Sequence, residues 1–193
     1  MSNYNKVRAR RLQESLGLTS GRRPAEAVSK SKNNWIWYGV YGLLLVSVLV
    51  FNSLFMITRV DGQSMAPTLK SGSVILVKRS EKVRRFDIVA LVERVKENGP
   101  SKNIIKRVVG LPGDTITVLN GTLYINDRKY EEPYLQEKFI KEYKKSSYTL
   151  KVPKDMYFVL GDNRDVSKDS RQVGSFVKKS VIGVAMVDGN TND

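Results

Sequence analysis

The longest apolar stretch of the chain runs from Ile36 to Ile57 without a charged residue. As a helix, a stretch of this length reaches about 33 Å, which matches a bilayer hydrocarbon core of about 30 Å. Tryptophan and tyrosine gather at its N-terminal end, as in an interfacial aromatic belt. The pattern therefore predicts a transmembrane helix over residues 35–57. The length argues against a buried core helix, and the lack of a small-residue cleavage site argues against a removable leader.

Positive charge is concentrated before this stretch. The upstream flank carries four basic residues and the downstream flank carries two, namely Arg22, Arg23, Lys30 and Lys32 against Arg59 and Lys70. The positive-inside rule then keeps the N-terminus in the cytoplasm. We expect residues 1–34 to be a cytoplasmic basic tail, disordered or lying on anionic headgroups, and residues 58–193 to lie outside the cytoplasm in a cell membrane protein with a single span.

The segment after the predicted span alternates short strand-like runs with turn residues. The runs are rich in β-branched and aromatic residues, and they read SVILVKR, DIVALVERV, NIIKRVVGL, DTITVL, TLYIND and MYFVLG. Asn120-Gly121 is a favoured hairpin turn. The charge-dense segment EEPYLQEKFIKEYKKSSYT indicates a helical or irregular excursion, and we place a cap-like excursion around residues 117–150. The predicted fold class is mainly β, an antiparallel sheet domain on one N-terminal transmembrane helix.

Composition narrows the chemistry that this chain can carry. The sequence has no histidine and no cysteine, which excludes Ser-His-Asp and Cys-His catalysis, zinc sites built on those residues, and disulfides. We expect no metal and no nucleotide cofactor. The net charge of +14 raises nucleic acid as a partner. The basic residues form no dense cluster interleaved with stacking aromatics, so we do not expect nucleic acid binding.

Ser64, in the stretch VDGQSMAPTL just after the apolar run, is a candidate nucleophile. A serine hydroxyl needs a base, and without histidine lysine is the leading candidate. A catalytic lysine must be neutral and therefore desolvated, and Lys106 is the lysine embedded in a strand-like apolar run, on the same face as Ile104 and Val108. An ordinary loop hydroxyl and a solvated strand lysine remain the alternative interpretations of these two residues.

Four segments, taken in their order along the chain, favour the catalytic interpretation of Ser64 and Lys106. GQSMAPTL, RRFDIV, KRVVGLPGD and GDNRDVSKDSR follow the predicted span, and together they closely resemble the bacterial type I signal peptidases, membrane-bound proteases that remove signal peptides with a serine and a lysine. The resemblance covers the span and essentially the whole outward domain, and these segments are highly specific as a set. It implies an antiparallel β-sheet catalytic domain of the signal-peptidase type.

The family pattern assigns roles to individual residues. It implies that Ser64 attacks the scissile carbonyl, that its backbone N–H binds the oxyanion, and that Lys106 is the general base. By the same resemblance, Ser167 orients the lysine amine, and Asp169 and Arg171 form an ion pair that braces the site. A surface ion pair of little worth is the alternative interpretation of the last two.

Residues 161–164 match the part of the family pattern that shapes the site, whereas the chain departs from the family at two other positions. Gly62 stands where some relatives carry a serine as a second oxyanion donor, so that donor must be a backbone group or be missing. Phe86 stands where many relatives have glycine, which puts any special role of Asp87 in doubt.

The resemblance also implies how a substrate binds. The end of an extended signal peptide would pair along Asn103 to Lys106 by β-augmentation, with its small side chains in shallow apolar pockets. The candidate walls of these pockets, for which plain core packing is the alternative, are Val60, Met65, Leu69, Ile104 and Ile105. Ser64 follows the span closely enough to lie within about 25 Å of the membrane surface. The expected partners are signal peptides of secretory preproteins and membrane lipid, with protein-export machinery as a further candidate.

Two other classes of protein compete with this interpretation. A LexA-like self-cleaving regulator uses a related serine and lysine, but such a regulator would be soluble with a DNA-binding domain in front. A signal-peptidase-like assembly factor for surface pili would act by binding, and such homologues can lack the serine or the lysine. Both Ser64 and Lys106 are present here, so we favour hydrolysis over binding.

Overall fold

A computed structural model describes residues 3–17, 34–80, 82–94 and 100–187 of the chain. The chain divides into two compact units, Met1–Leu43 and Leu44–Asp193. In the first unit, helix α1 spans Asn3–Ser15. From Lys6 to Glu14 the residues of α1 other than Val7 have high helix propensity, so this part is helical and not disordered. The alternative, that the tail lies on anionic headgroups, stays a prediction. Residues 18–33, which carry the basic flank, lie outside the described residues.

Helix α2 spans Trp35–Leu54, and none of its residues is buried. Its twenty residues reach about 30 Å, and by length and composition it is a candidate membrane span. The sequence predicts a helix as far as residue 57, whereas Phe55–Arg59 forms a strand that pairs with Val74–Lys78. The end of the prediction is therefore corrected, because the apolar composition of Phe55–Ile57 continues that of the helix while its backbone hydrogen bonds are made within a sheet.

Eleven strands are described in the second unit, and they confirm the prediction of a mainly β fold. In chain order they are β1 (Phe55–Arg59), β2 (Val74–Lys78), β3 (Ile88–Arg94), β4 (Ser101–Gly110), β5 (Thr115–Leu119), β6 (Thr122–Ile125), β7 (Arg128–Tyr130), β8 (Tyr148–Lys151), β9 (Met156–Leu160), β10 (Phe176–Val177) and β11 (Val181–Ala185). A seven-stranded sheet has the order β1-β2-β11-β3-β4-β9-β10, and its pairs are antiparallel. Five of the six predicted strand runs contain one of these strands, and the run NIIKRVVGL covers residues 103–110 of β4, which begins two residues earlier.

The predicted excursion contains most of the second sheet, of order β7-β6-β5-β8. The Asn120-Gly121 turn joins β5 to β6 with both residues at positive φ, as the sequence predicts. Asn126 and Asp127 make a similar turn before β7, where the sequence predicts a continuing strand. The charge-dense segment is mainly irregular, with short 3-10 turns at Glu137–Phe139 and Tyr143–Lys145.

Strand β4 lies inside the larger sheet, between β3 and β9. It pairs with β3 from Ser101 to Arg107 and with β9 only from Arg107 onwards. One edge of residues 101–106 is therefore unpaired among the strands that the structure describes. Apolar clusters pack on the sheet, and the one that lies beneath the turn after β1 contains Val60, Met65, Leu69, Ile75, Val77, Ile88, Ala90 and Ala185.

Candidate active site

Ser64 lies in the turn that follows β1. Met65, only 1% exposed, inserts into the apolar cluster beneath the turn, and its carbonyl accepts a hydrogen bond of 2.8 Å from the N–H of Leu69. Gly62 has a φ of 83°, a conformation that favours glycine, and its N–H donates to Ser71 Oγ at 3.2 Å. The buried neighbour anchors the turn, which leaves Ser64 itself half-buried at the surface of the domain.

Lys106 extends from β4 to the nucleophile. Its Nζ lies 2.7 Å from Ser64 Oγ and donates to the carbonyl of Ile105 at 3.1 Å. The residue is only 4% exposed. Burial lowers the pKa of Lys106, because the charged ammonium loses hydration, although nearby carboxylates offset part of this effect. The arrangement therefore favours a neutral amine in contact with a serine hydroxyl.

The loop after β9 closes over the back of the nucleophile. The N–H of Asn163 donates to the carbonyl of Ser64 at 3.0 Å. A Cβ added at Gly161 would overlap both that carbonyl and the side chain of Ser167. Glycine is thus required at position 161 by close approach, and the loop can pack directly on the turn that carries Ser64.

Asp169 and Arg171 form the ion pair that the resemblance implies. Asp169 is fully buried and caps the short helix α3 (Ser170–Val173). Its two carboxylate oxygens accept from Arg171 Nε and Nη2, each at 2.9 Å. The Asp169 carboxylate also accepts from the N–H of Gly161, and Arg171 donates to the carbonyl of Arg164. These contacts hold the two ends of the loop together, so the pair is more than a surface contact.

A second buried ion pair lies directly beside the catalytic candidates and was not predicted. Arg107 Nε and Nη2 donate to the carboxylate of Asp162 at 2.8 and 2.7 Å, and both side chains are buried. Thr68 donates to the same carboxylate at 2.5 Å. The guanidinium of Arg107 also stacks 3.8 Å from the ring centroid of Tyr134. A bidentate pair of this kind fixes the orientation of both side chains.

A third pair joins the loop to the excursion. Arg164 Nη2 contacts Glu132 Oε1 at 2.5 Å with both side chains almost fully buried, and Arg164 Nε donates to the carbonyl of Gly161. Tyr143 lies against the guanidinium, 4.7 Å from its ring centroid. Sequence reasoning gave no partner for Arg164, because nothing local in the sequence pairs it with a carboxylate 32 residues earlier.

Ser167 is buried close to the nucleophile turn, packed against Gly161. Its Oγ has no hydrogen-bond partner among the described residues. The hydrogen bonds of the Lys106 amine go to Ser64 and to the carbonyl of Ile105. The role of Ser167 in orienting the amine therefore stays a prediction.

An open groove of about 310 Å³ leads to Ser64 and Lys106. One wall is the segment from Thr58 to Met65, and the other is the unpaired edge of β4. Among the predicted substrate contacts, the residues that line the groove are Val60, Met65, Asn103, Ile104 and Ile105. Leu69 instead lies in the apolar cluster beneath the turn and does not line the groove.

Phe86 and Asp87 have structural explanations. Phe86 has a φ of 68°, in the left-handed region where glycine is favoured. Its ring packs against Tyr130 and Tyr134, with centroids 5.8 and 6.1 Å apart. Asp87 accepts a hydrogen bond of 2.7 Å from the N–H of Arg84 and so closes the turn before β3.

No group of three or more carboxylates that could hold a metal ion is found in the described part of the chain.

Several known proteins are similar in sequence to this chain. A crystal structure of a signal peptidase I from Enterococcus faecalis V583 is 36% identical, with a TM-score of 0.42, and the match covers 53% of this chain and 96% of that one. A signal peptidase I from Bacillus amyloliquefaciens is 42% identical over 154 residues, which cover 74% of this chain and 80% of the relative. Signal peptidase I V from Bacillus subtilis is 38% identical over 170 residues, which cover 79% of this chain and 96% of the relative.

A relative from Streptococcus pneumoniae serotype 4, also a signal peptidase I, is 36% identical over 182 residues, covering 74% of this chain and 87% of its own. The sequence profile of the family described as signal peptidase, peptidase S26, matches residues 32–188. The match therefore includes α2, the groove and all of the buried ion pairs. The family match and the sequence relatives from the two Bacillus species show that the chain belongs to the signal peptidase family, peptidase S26.

Proposed function

We propose that this chain is a membrane-anchored serine endopeptidase that removes N-terminal signal peptides from secreted preproteins, with Ser64 as nucleophile and Lys106 as general base. The observation that carries the proposal is the 2.7 Å contact between Lys106 Nζ and Ser64 Oγ at a buried lysine. Family membership supports the reaction, and this contact supports the identity of the two groups that perform it.

The chemistry follows from that contact. The neutral amine of Lys106 takes the proton of the Ser64 hydroxyl as Oγ bonds to the carbonyl carbon of the scissile peptide. The resulting ammonium gives the proton to the leaving amine as the C–N bond breaks, which leaves an ester on Ser64. Water then attacks the ester, with Lys106 again taking a proton, and releases the signal peptide and the free serine.

The oxyanion of each tetrahedral intermediate needs hydrogen-bond donors. By the family pattern, the backbone N–H of Ser64 is the first donor, a contribution typically worth several kcal/mol. Gly62 has no side chain to offer, and its left-handed φ of 83° disfavours one. The second donor in this chain is therefore a backbone group, or the site works with one donor.

Substrate binding uses the groove. An extended peptide can pair with the unpaired edge of β4, which the sheet leaves open next to Lys106. Ile105 borders the groove from this side, and Val60 and Met65 line it from the other. The shallow apolar surface that they form agrees with small side chains next to the cut.

The membrane arrangement is part of the proposal. Helix α2 is the anchor, the basic tail of residues 1–34 stays in the cytoplasm, and the β domain is extracytoplasmic. The charge asymmetry of the sequence supports this orientation. The C-terminal residue of α2, Leu54, is followed directly by β1, and the nucleophile turn begins soon after β1. Membrane lipid and the signal peptides embedded in it are then natural partners, and export machinery is a further one.

The test is cleavage of a secretory precursor with an Ala-x-Ala site by the full chain in detergent or lipid. We expect the wild type to cut after the second alanine, and Ser64→Ala and Lys106→Ala to lose cleavage by at least about a thousandfold while remaining folded. Lys151→Ala removes an exposed strand lysine and serves as the matched control with unchanged cleavage. A folded wild type that binds the precursor without cutting it would instead favour a pilus assembly factor that acts by binding.

A further inference from the structure

A second cavity, of about 720 Å³, lies next to the groove. The end of β3 and the segment from α3 to β10 form its walls. Four apolar side chains line it, namely Val92, Val173, Phe176 and Val177, together with the polar residues Glu93, Lys168, Ser175, Lys179 and Ser180. Val173 and Val177 are 42% and 48% exposed. The cavity therefore presents apolar surface to solvent, and the catalytic chemistry does not use it.

Two residues line both the groove and the second cavity. They are Glu93 and Lys168, and they form an ion pair with 3.2 Å between Oε1 and Nζ. The Lys168 side chain is 62% exposed, whereas that of Glu93 is 14% exposed. The second cavity thus adjoins the groove, and this ion pair lies between the two.

The register of the sheet gives the position of the ion pair along the groove. Glu93 is directly opposite Lys102 in the ladder between β3 and β4, four residues before Lys106. At about 3.3 Å per strand residue, this is about 13 Å from Lys106 along the strand. Lys102 Nζ also reaches Asp61 on the opposite wall, at 3.8 Å.

The same contacts give the direction of the groove. Asp61 is opposite Lys102, and Ser64 is opposite Lys106, so the two walls run in the same direction. The end at Asp61 is the nearer one along the chain to α2, the candidate membrane span. The part of a precursor that precedes the cut is the part held in the membrane. That part should therefore occupy the Asp61 and Lys102 end of the groove.

We propose that the second cavity is a substrate subsite that takes an apolar side chain of the precursor at the fourth or fifth residue before the cut. The proposal rests on the proposed function. If an extended peptide pairs with β4 and its last residue before the cut lies at Lys106, the fourth and fifth residues before the cut lie beside Lys102. Since successive side chains of a strand point to opposite faces, one of the two faces Glu93 and the cavity beyond it.

The chemistry of the cavity sets the preference. Burying a leucine against Val173 and Val177 removes apolar surface from water on both sides. A lysine at the same precursor position would gain no apolar contact and would meet Lys168 and Lys179, whose like charges oppose it. The subsite should thus favour leucine over alanine and disfavour lysine.

The experiment compares precursors that share one Ala-x-Ala site and differ only at the fourth or the fifth residue before the cut. The full-length enzyme in lipid nanodiscs is assayed for kcat/KM with leucine, alanine or lysine there. We expect leucine to be cleaved about fivefold better than alanine at one of the two positions, since an open cavity buries only part of the side chain. In the double variant Val173→Ser, Val177→Ser the ratio should fall to about one.

Controls separate this outcome from other effects. Leu119→Ser removes an equally exposed apolar side chain from the second sheet, and the leucine-to-alanine ratio should stay as in the wild type. General damage from the double variant would slow both precursors alike and would leave the ratio unchanged. An unchanged ratio in the double variant, or no leucine preference in the wild type, overturns the subsite and leaves the proposed function intact. Failure of the folded wild type to cleave any precursor overturns both.

Discussion

Thr68 and Asp162, 94 residues apart in sequence, meet behind the nucleophile turn, where Thr68 Oγ1 donates a hydrogen bond of 2.5 Å to Asp162 Oδ2. The same carboxylate accepts two hydrogen bonds from Arg107, the residue after Lys106 on β4. This chain of contacts ties the turn that carries Ser64 to the strand that carries Lys106. It therefore helps to set the distance between the two groups proposed to react.

Replacing Thr68 by valine should test this connection, because valine keeps the shape of threonine and removes the donor. We expect kcat to fall about tenfold with little change in KM, since the lost hydrogen bond positions the nucleophile and does not hold substrate. Steady-state kinetics on an Ala-x-Ala precursor measure both constants. Thr68→Ser keeps the donor and should recover most of the rate. If Thr68→Val has the kcat of the wild type, the contact has no positioning role.

The pH dependence of cleavage should reveal Lys106. The ammonium cannot accept the proton of Ser64, so kcat/KM should rise with pH as the amine becomes neutral. Burial lowers the pKa of Lys106 from the ordinary 10.5, which moves this rise towards neutral pH. Initial rates at several pH values, with chemistry limiting, should show a single acid limb below 10.5. A rate that does not change with pH would contradict Lys106 as the base.

Glu93→Gln should shift the acid limb of the pH profile of kcat/KM. The negative charge of Glu93 stabilises the ammonium and raises the pKa of Lys106 against the dominant effect of burial. Removing the charge should therefore lower the pKa further and shift the acid limb of kcat/KM to lower pH. Glu137→Gln, at an exposed carboxylate paired with Lys144, is the control and should leave the limb in place. A shift to higher pH, or an equal shift in the control, would exclude this electrostatic explanation.

Phe86 should give an unusual order of stabilities. Phe86→Ala and Phe86→Gly both remove the ring from Tyr130 and Tyr134, but alanine keeps the cost of the left-handed φ and glycine does not. We expect the glycine variant to be the more stable of the two by about 1 kcal/mol. Urea unfolding of both variants in the same detergent measures the difference. In a regular strand, alanine is more stable than glycine. A more stable alanine variant would therefore show that φ at position 86 is not held in the left-handed region.

Local patterns predicted much of the fold. The six strand runs and the Asn120-Gly121 turn follow from composition and turn chemistry over a few residues. Strand β1 was missed because Phe55–Ile57 is as apolar as the helix before it, and only pairing with β2 makes it a strand. The short strands β10 and β11 likewise depend on neighbours distant in sequence for their hydrogen bonds.

The site was predictable from composition and the family resemblance together. Without histidine, lysine was the leading candidate for the base, and the apolar strand context pointed to Lys106. The resemblance to the signal peptidases then favoured this interpretation over an ordinary strand lysine, and the structure brings Lys106 to Ser64. The partners of Arg107 and Arg164 could not be found in this way. Asp162 and Glu132 lie 55 and 32 residues away, and no local pattern records which carboxylate a buried guanidinium meets.

Ser167 offers the sharpest test of the remaining prediction. Its buried Oγ has no partner among the described residues, and a buried hydroxyl without a hydrogen bond costs about 1 to 3 kcal/mol. Ser167→Ala should therefore leave the free energy of unfolding unchanged or raise it. If the hydroxyl orients the Lys106 amine during the reaction, the same variant should lose kcat by about a hundredfold. Stability and kcat would then move in opposite directions, which loss of packing cannot produce. Full activity in Ser167→Ala would exclude the orienting role.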